Sequence, residues 1–210
     1  MIRISSGLAR AFTLPALIAP ALIGLTVLGG SVARAADSNG SFGADGIGGQ
    51  PCKLFTDAAD RKDQVMVAAF SGWVGGYATA YNALTPDTFD ITPWQSSDLI
   101  LAKLDRHCRA FPDKPFVEAV AALYSVLHPA RMTQPSPIIS MSAGGKTQPL
   151  PAEVLSRVRK LIEADRGQPL TTPEGTFDDA FSKALVEYQT QKGLPQSGIA
   201  DQPTLNALFP

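Results

Sequence analysis

The sequence has few of the side chains that most often carry catalysis. Its 210 residues include only two histidines and two cysteines. His107 and His128 show no His-x-x-x-His spacing and no neighbouring acidic cluster, so the motifs that bind zinc are missing. No glycine-rich phosphate loop precedes a helix either. We therefore expect a protein that is not an enzyme and that carries no metal and no cofactor.

Long hydrophobic runs are also scarce, and the one that exists lies at the N-terminus. Arg3 and Arg10 supply a positive start without acidic residues, and residues 11–28 are apolar. Residues 33–35 read Ala-Arg-Ala, a small-x-small cleavage site. Residues 1–35 are thus predicted to be a signal peptide, and the mature protein to be periplasmic or secreted with no membrane segment. A retained anchor is the alternative, because the run is nearly long enough to span a bilayer.

An excess of positive charge is absent as well. The whole chain has 18 basic and 19 acidic residues, and removal of residues 1–35 leaves 15 basic against 19 acidic ones, a net charge of −4 with neutral histidines. Nucleic acids and anionic membranes are usually bound through basic patches. Neither is therefore expected as a partner.

Residues 36–51 are rich in Gly and Ser and are predicted to be a flexible leader.

A first domain is predicted over residues 52–129, which hold both cysteines. In an exported protein an isolated pair is most simply a disulfide, so Cys52 and Cys108 are expected to be joined. A loop of this length would stabilise the fold by ~4 kcal/mol in the chain-entropy model. A reactive Cys108 beside His107 is the alternative.

Helical periodicity runs through this first domain. Residues 61–84 carry an apolar stripe at helical spacing. The sequence Thr-Pro-Trp-Gln at positions 92–95 has the form of a capping box and predicts the start of a second helix, and a third is predicted over 114–127. No alternating strand pattern is evident, which predicts an all-α bundle. The stripe of the first helix includes Phe70, Trp73 and Tyr77.

Residues 130–150 contain repeated prolines separated by Ser, Gly and Thr. This composition predicts an extended linker, ~25 Å long if coil-like, and no packed element.

A second domain, residues 151–210, opens with a helix over 152–165. Its exposed face is expected to carry Arg157, Arg159 and Lys160, a cluster more typical of a solvated surface than of a phosphate site.

The last thirty residues read as a helix, a tight turn and a short closing helix. Phe181, Leu185 and Tyr188 fall on one helical face. Gly193 is suited to end that helix, and Asp201 to cap the next. With the helix at 152–165 these elements predict a small three-helix domain.

This segment resembles the peptidoglycan-binding-like domain over about residues 151–209. The resemblance implies association with peptidoglycan and names Tyr188, Gln189, Asp201 and Thr204 as ligand-binding residues. Most matching positions are caps, turns and core, so Gln189 could instead hold the loop. Glu174 departs from the family, which has Asp there. The matching positions are Tyr188-Gln189, Gly193-Leu194, Ser197-Gly198, Asp201, Thr204 and Leu208.

A second resemblance lies in the first domain. Cys52, the run Gly-Trp-Val-Gly-Gly-Tyr at 72–77, Cys108 and Pro112 before a last helix look like the HdeA/HdeB-type periplasmic family. Tai-type immunity proteins have a similar order of features. The resemblance implies a protein-binding domain that loosens in acid and protects unfolding clients.

These observations predict an exported, non-enzymatic protein that associates with peptidoglycan and whose first domain binds periplasmic client or partner proteins. Two other functions stay open. One is an immunity or inhibitor protein for a specific periplasmic enzyme. The other is an accessory or cryptic cell-wall hydrolase.

Overall fold

The structure is a computed structural model that describes Asp37 and residues 42–209. The predicted signal peptide, residues 1–35, lies outside the described residues. The chain divides into two units, Met1–Phe42 and Gly43–Pro210. In chain order, the second unit contains a 3₁₀ turn Gly46–Gly49, α1 Cys52–Asp60, α2 Gln64–Leu84, α3 Ser97–Ala110, α4 Phe116–Leu127, a 3₁₀ turn His128–Ala130, β1 Ile138–Ala143, β2 Lys146–Pro151, α5 Ala152–Arg166, α6 Asp179–Gln191 and α7 Gln202–Leu208.

Helices α1 to α4 pack around three phenylalanines. Phe55, Phe70 and Phe116 come from three different helices, and at most 2% of each is exposed. Their ring centroids lie 4.6 to 5.2 Å apart in tilted or edge-on pairs. Such pairs add ~0.5–1.5 kcal/mol each beyond the burial of their area. The predicted helical bundle is confirmed, and α1 is a helix that the periodicity did not indicate.

The predicted disulfide is confirmed. Cys52, the first residue of α1, is bonded to Cys108 near the end of α3, across 56 positions of the sequence. Both residues are fully buried. Backbone hydrogen bonds from Cys52 N to Lys114 O and from Phe116 N to Gln50 O, each 2.8 Å, hold the same end of the bundle. The start of α1 is thus fixed both covalently and by its backbone.

Helix α2, with 21 residues, begins three positions later than the periodicity predicted. Asp63 caps it by accepting a hydrogen bond from Met66 N at 3.1 Å, which satisfies a donor that the first turn leaves unpaired. Residues 61–63 therefore lie before the helix. Within residues 42–209, no helix is both long enough and apolar enough to cross a membrane.

The prediction of a flexible leader over residues 36–51 is wrong for its second half. Gly46–Gly49 is a 3₁₀ turn, Ile47 packs against the first core and Gly48 is buried. Trp73 closes over this turn and donates a hydrogen bond from Nε1 to Asp45 O at 3.0 Å. Composition alone indicated flexibility because the partner that orders the segment lies on α2.

The capping box predicted at residues 92–95 is also wrong. Helix α3 begins at Ser97, and Ser96 caps it by accepting a hydrogen bond from Leu99 N at 3.3 Å. The preceding residues are held elsewhere, since Trp94 packs against Phe209 with ring centroids 5.4 Å apart. A distant contact thus prevents the helix from starting at the local signal.

The predicted linker, residues 130–150, is instead a packed β-hairpin, so the fold is mostly helical but not all-α. Strands β1 and β2 pair antiparallel through a two-residue turn at Gly144 and Gly145, both with positive φ. Such turns need positive φ and favour glycine. Met141 and Leu150 point into the second core and are at most 2% exposed. Proline is tolerated because each strand has an unpaired edge, where a missing N–H costs little.

The second core lies between this hairpin and helices α5 to α7. Its largest fully buried side chains from α5 and α6 are Leu155, Ile162 and Phe181, each at most 1% exposed. Met132, which precedes the hairpin, belongs to it as well. The predicted three helices are present, but the core that they share begins about twenty residues before residue 151.

Candidate functional site

Gln189 on α6 is the centre of a buried polar network. Its side chain is fully buried. Nε2 lies 2.8 Å from Ile199 O, 2.9 Å from Thr204 Oγ1 and 3.1 Å from Ser197 Oγ. An amide nitrogen has only two N–H groups, so the two shorter contacts are its principal hydrogen bonds. Oε1 accepts from Gly198 N at 3.0 Å. Gln189 therefore fixes the turn at residues 197–199 from both ends of its amide.

Asp201 continues this network into α7. Its Oδ1 accepts hydrogen bonds from Thr204 N at 3.1 Å and from Thr204 Oγ1 at 2.6 Å, and its Oδ2 accepts from Ser197 Oγ at 2.7 Å. The first of these is the N-terminal cap that the sequence predicted. The hydroxyl of Thr204 donates to Asp201 and accepts from Gln189, so the one polar atom of this side chain is engaged in both roles.

The hairpin supports this loop from the other side. Gln148 on β2 donates from Nε2 to Ala200 O at 3.2 Å. Gly198 has φ +68°, and a Cβ there would lie 2.6 Å from Ser182 Oγ and 3.3 Å from Ala143 Cβ. Glycine is thus required at this position by both conformation and space. The loop is clamped between α6, α7 and the tip of the hairpin.

Burial limits which of the four predicted ligand-binding residues can meet a ligand. Gln189 and Thr204 have no exposed surface, and their hydrogen-bonding groups are all engaged within the fold. Asp201 is half-buried and serves as a cap. The structure brings these three residues together, but as the frame of the loop. This arrangement favours the alternative in which Gln189 holds the loop.

Tyr188 lines a surface depression of about 480 Å³, beside Leu161 and Leu208. Its side chain is 5% exposed, and Lys192 Nζ lies 5.4 Å from the ring centroid. Burial, with a smaller contribution from Asp165, raises the pKa of the Tyr188 hydroxyl. The tyrosine therefore stays neutral at physiological pH, and it offers a ligand only a small part of a ring whose face is already near a cation.

A larger groove, of about 550 Å³, lies where the bundle meets the C-terminal domain. Its walls come from α3 and α4 on one side and from α5 and α7 on the other. Sequence reasoning missed it, because its walls are separated by up to about a hundred residues along the chain. The side chains that form its apolar walls include Trp94, Leu123, Leu127, Leu161, Leu208 and Phe209.

Two side chains, each through two hydrogen bonds, hold the walls of this groove together. The side chain of Gln202 accepts a hydrogen bond from Ser96 N at 2.9 Å and donates one from Nε2 to Trp94 O at 2.5 Å. Arg157 on α5 donates to Ala130 O at 2.5 Å and to Arg131 O at 3.1 Å. The groove is therefore a preformed feature of the fold.

The basic cluster predicted on the exposed face of α5 separates into different roles. Arg159 is largely buried and donates to Thr172 O at 2.6 Å and to Leu170 O at 2.9 Å, which fixes the loop after α5. Glu163 pairs with it at 2.9 Å and accepts from Leu170 N, and these bonds lower the pKa of Glu163. Only Arg157 and Lys160 reach the groove.

Comparison with known protein families gives a match for the C-terminal helices. Residues 159–208 match the model of the family described as "Putative peptidoglycan binding domain". These residues therefore form a peptidoglycan-binding-like domain, which indicates association with the cell wall and a location outside the cytoplasm. Neither the curated proteins nor the solved structures gave a match. The matched segment includes the clamped loop and α5 from Arg159 onward, whereas the hairpin precedes it.

Proposed function

We propose that this protein is exported and associates with peptidoglycan through its C-terminal domain, without catalysing a reaction. The match over residues 159–208 is the observation that carries the proposal. The rigid loop between α6 and α7 supports it, since a site built on fixed elements needs no ordering when it binds. The hydrophobic run and cleavage site at residues 1–35 are the support for export.

The environment of the few candidate catalytic side chains supports the non-enzymatic part of the proposal. Both cysteines are bonded to each other, so neither is a nucleophile. His128 shares a hydrogen bond of 2.9 Å with Tyr81, and His107 packs against Phe111 with ring centroids 5.0 Å apart. Within residues 42–209, no hydrogen bond or ion pair joins either histidine to a serine that it could activate or to a carboxylate that would orient it.

A sedimentation experiment tests this proposal. The full-length protein should pellet with purified peptidoglycan sacculi and should stay in solution with cellulose, an insoluble glycan without peptide. The sacculi should remain undigested after long incubation. A protein that stays in the supernatant would refute association with peptidoglycan. Soluble muropeptides released from the sacculi would instead identify a hydrolase.

For the helical bundle we propose binding of other proteins, with acid as the trigger. The observation in its favour is the bond between Asp60 on α1 and Arg109 on α3, at 2.7 and 3.3 Å. The hydrogen bond from Arg109 lowers the pKa of Asp60. Both side chains are about half exposed, so solvent screening keeps the contribution of this pair to the stability of the bundle small. That contribution is present above the ordinary carboxylate pKa of about 4 and is lost as pH falls through the lowered value.

The acid-triggered function can be separated from that of an inhibitor. Loosening should give binding of an apolar dye and suppression of client aggregation near pH 2 to 3, and neither at pH 7. An inhibitor or immunity protein needs its surface formed at neutral pH. A bundle that stays dye-silent at pH 2 yet captures one purified enzyme at pH 7 would therefore replace this proposal.

A further inference from the structure

The groove at the junction of bundle and domain has apolar walls and a cationic rim. Val126 and Leu161 expose 73% and 37% of their surface there. Lys103 from α3 and Lys160 and Arg157 from α5 supply three positive groups. Among the described residues that line the groove there is no carboxylate. It is thus a local positive site on a chain whose charged residues are slightly acidic in sum.

The three cations are not equivalent. Arg157 forms an ion pair with Glu153 one turn earlier on α5, and its other hydrogen bonds go to backbone carbonyls. Its charge is therefore largely offset, and it acts as part of the wall. Within residues 42–209, no hydrogen bond or ion pair engages Lys103 or Lys160. Two ammonium groups beside apolar surface are thus left to attract an anion.

The dimensions and the lining of the groove select among possible ligands. A volume of about 550 Å³ suits a small molecule or a short peptide. A glycan presents many hydroxyl groups and needs neutral donors and acceptors, yet among the lining residues described the side chain of Gln95 and the indole N–H of Trp94 are the only neutral hydrogen-bonding groups. Two ammonium groups over aliphatic and aromatic walls match a ligand with carboxylates and small alkyl groups. The peptide portion of peptidoglycan has that composition.

From this complementarity we propose that the groove binds the carboxylate-bearing peptide portion of peptidoglycan, an inference that rests on the proposed association with the cell wall. Lys103 and Lys160 pair with carboxylates of the peptide, while Leu161 and Phe209 contact its alkyl groups. Because Lys103 belongs to the bundle and Lys160 to the C-terminal domain, both halves of the protein are needed for this site. The bundle then serves in wall recognition as well as in any binding of other proteins.

Titration of the full-length protein with the synthetic peptide alanyl-γ-glutamyl-diaminopimelate tests the site by calorimetry. Replacing both lysines, Lys103→Gln with Lys160→Gln, should weaken binding about tenfold, because two partly exposed charge pairs are lost. Leu161→Glu, at an exposed position, should weaken it by at least as much through repulsion. The matched control is Lys146→Gln with Lys183→Gln, which removes the same charge from exposed positions outside the groove and should bind as the wild type does.

The outcomes distinguish failure of the proposed groove site from failure of the proposed association with peptidoglycan. Equal peptide affinity in the groove variant and the control would overturn this site. So would tighter binding of tetra-N-acetylglucosamine, a glycan without peptide, or of vesicles containing phosphatidylglycerol. If the wild type pellets with sacculi and the groove variant pellets equally well, the groove assignment fails while the wall association stands. If the wild type does not pellet at all, the wall association itself fails.

Discussion

Replacing Gln189 by leucine should destabilise the protein without removing a ligand contact. Leucine is apolar and of comparable size, but it cannot form the hydrogen bonds with Ile199 O, Thr204 Oγ1 and Gly198 N. Three neutral hydrogen bonds at ~1 kcal/mol each give a loss of about 3 kcal/mol. The buried N–H of Gly198 would also be left without an acceptor, which adds a cost of its own. The loss of unfolding free energy should therefore be at least about 3 kcal/mol.

Urea unfolding at pH 7, followed by circular dichroism, measures the loss as a lower transition midpoint. The matched control is Gln191→Leu, an exposed position two residues later on the same helix. Its unfolding free energy should change by less than about 0.5 kcal/mol. Since a protein of this size is stable by ~5–15 kcal/mol, the Gln189→Leu variant should remain folded at low temperature.

Sedimentation with sacculi then separates a structural role from a ligand-binding one. If Gln189 frames the loop, binding should fall only in proportion to the fraction unfolded. The reasoning is refuted if Gln189→Leu keeps the stability of the wild type but loses binding. It is also refuted if Gln191→Leu is destabilised equally, because burial of the network would then not be the cause.

Three further perturbations test other parts of the structure. Replacing Cys52 and Cys108 by alanine should lower the unfolding free energy by ~4 kcal/mol in denaturant titrations, and the wild type should resist alkylation until it is reduced. Leu150→Ala should cost ~2–5 kcal/mol in the same assay, whereas Ile138→Ala, at a strand position that is 62% exposed, should cost under ~1 kcal/mol; equal costs would contradict the packed hairpin. Hydrogen bonds from Thr172 and from Phe181 N lower the pKa of Asp178, so its contribution is present above pH ~4 and is lost as pH falls through the lowered value. Asp178→Asn should therefore lower the thermal midpoint at pH 7 more than at pH 3, and an equal change at both would show that the charge is immaterial.

Much of the secondary structure could be predicted because its signals are local. Helix α6 ends before Gly193, and Asp201 caps α7, as their residue types indicated. Apolar spacing identified α2, α4 and α5 to within a few residues. Caps, turns and helical faces depend on neighbours within about one turn, so a single sequence contains the information.

The sequence also predicts the disulfide and the residues that form the loop network. It does not predict that the network residues are buried. Two cysteines can pair in one way only, and the structure joins them. The resemblance to the peptidoglycan-binding-like domain predicts a ligand site that includes Gln189, Asp201 and Thr204, and the structure places these residues together but inside the fold. Residue type and spacing report proximity, whereas exposure depends on what packs above them.

Contacts between distant segments decided the rest. The prolines of residues 130–150 predict an extended linker, but Met141 and Leu150 gain a core only when α5 to α7 are present to bury them. Trp94 packs against Phe209 instead of starting a helix at the local capping motif. Gln202 accepts a hydrogen bond from Ser96 N, which is 106 positions earlier in the sequence. The groove exists only because these contacts bring two halves of the chain together. Burial and cavity shape are properties of packed surfaces, and no local pattern in the sequence encodes which surfaces will meet.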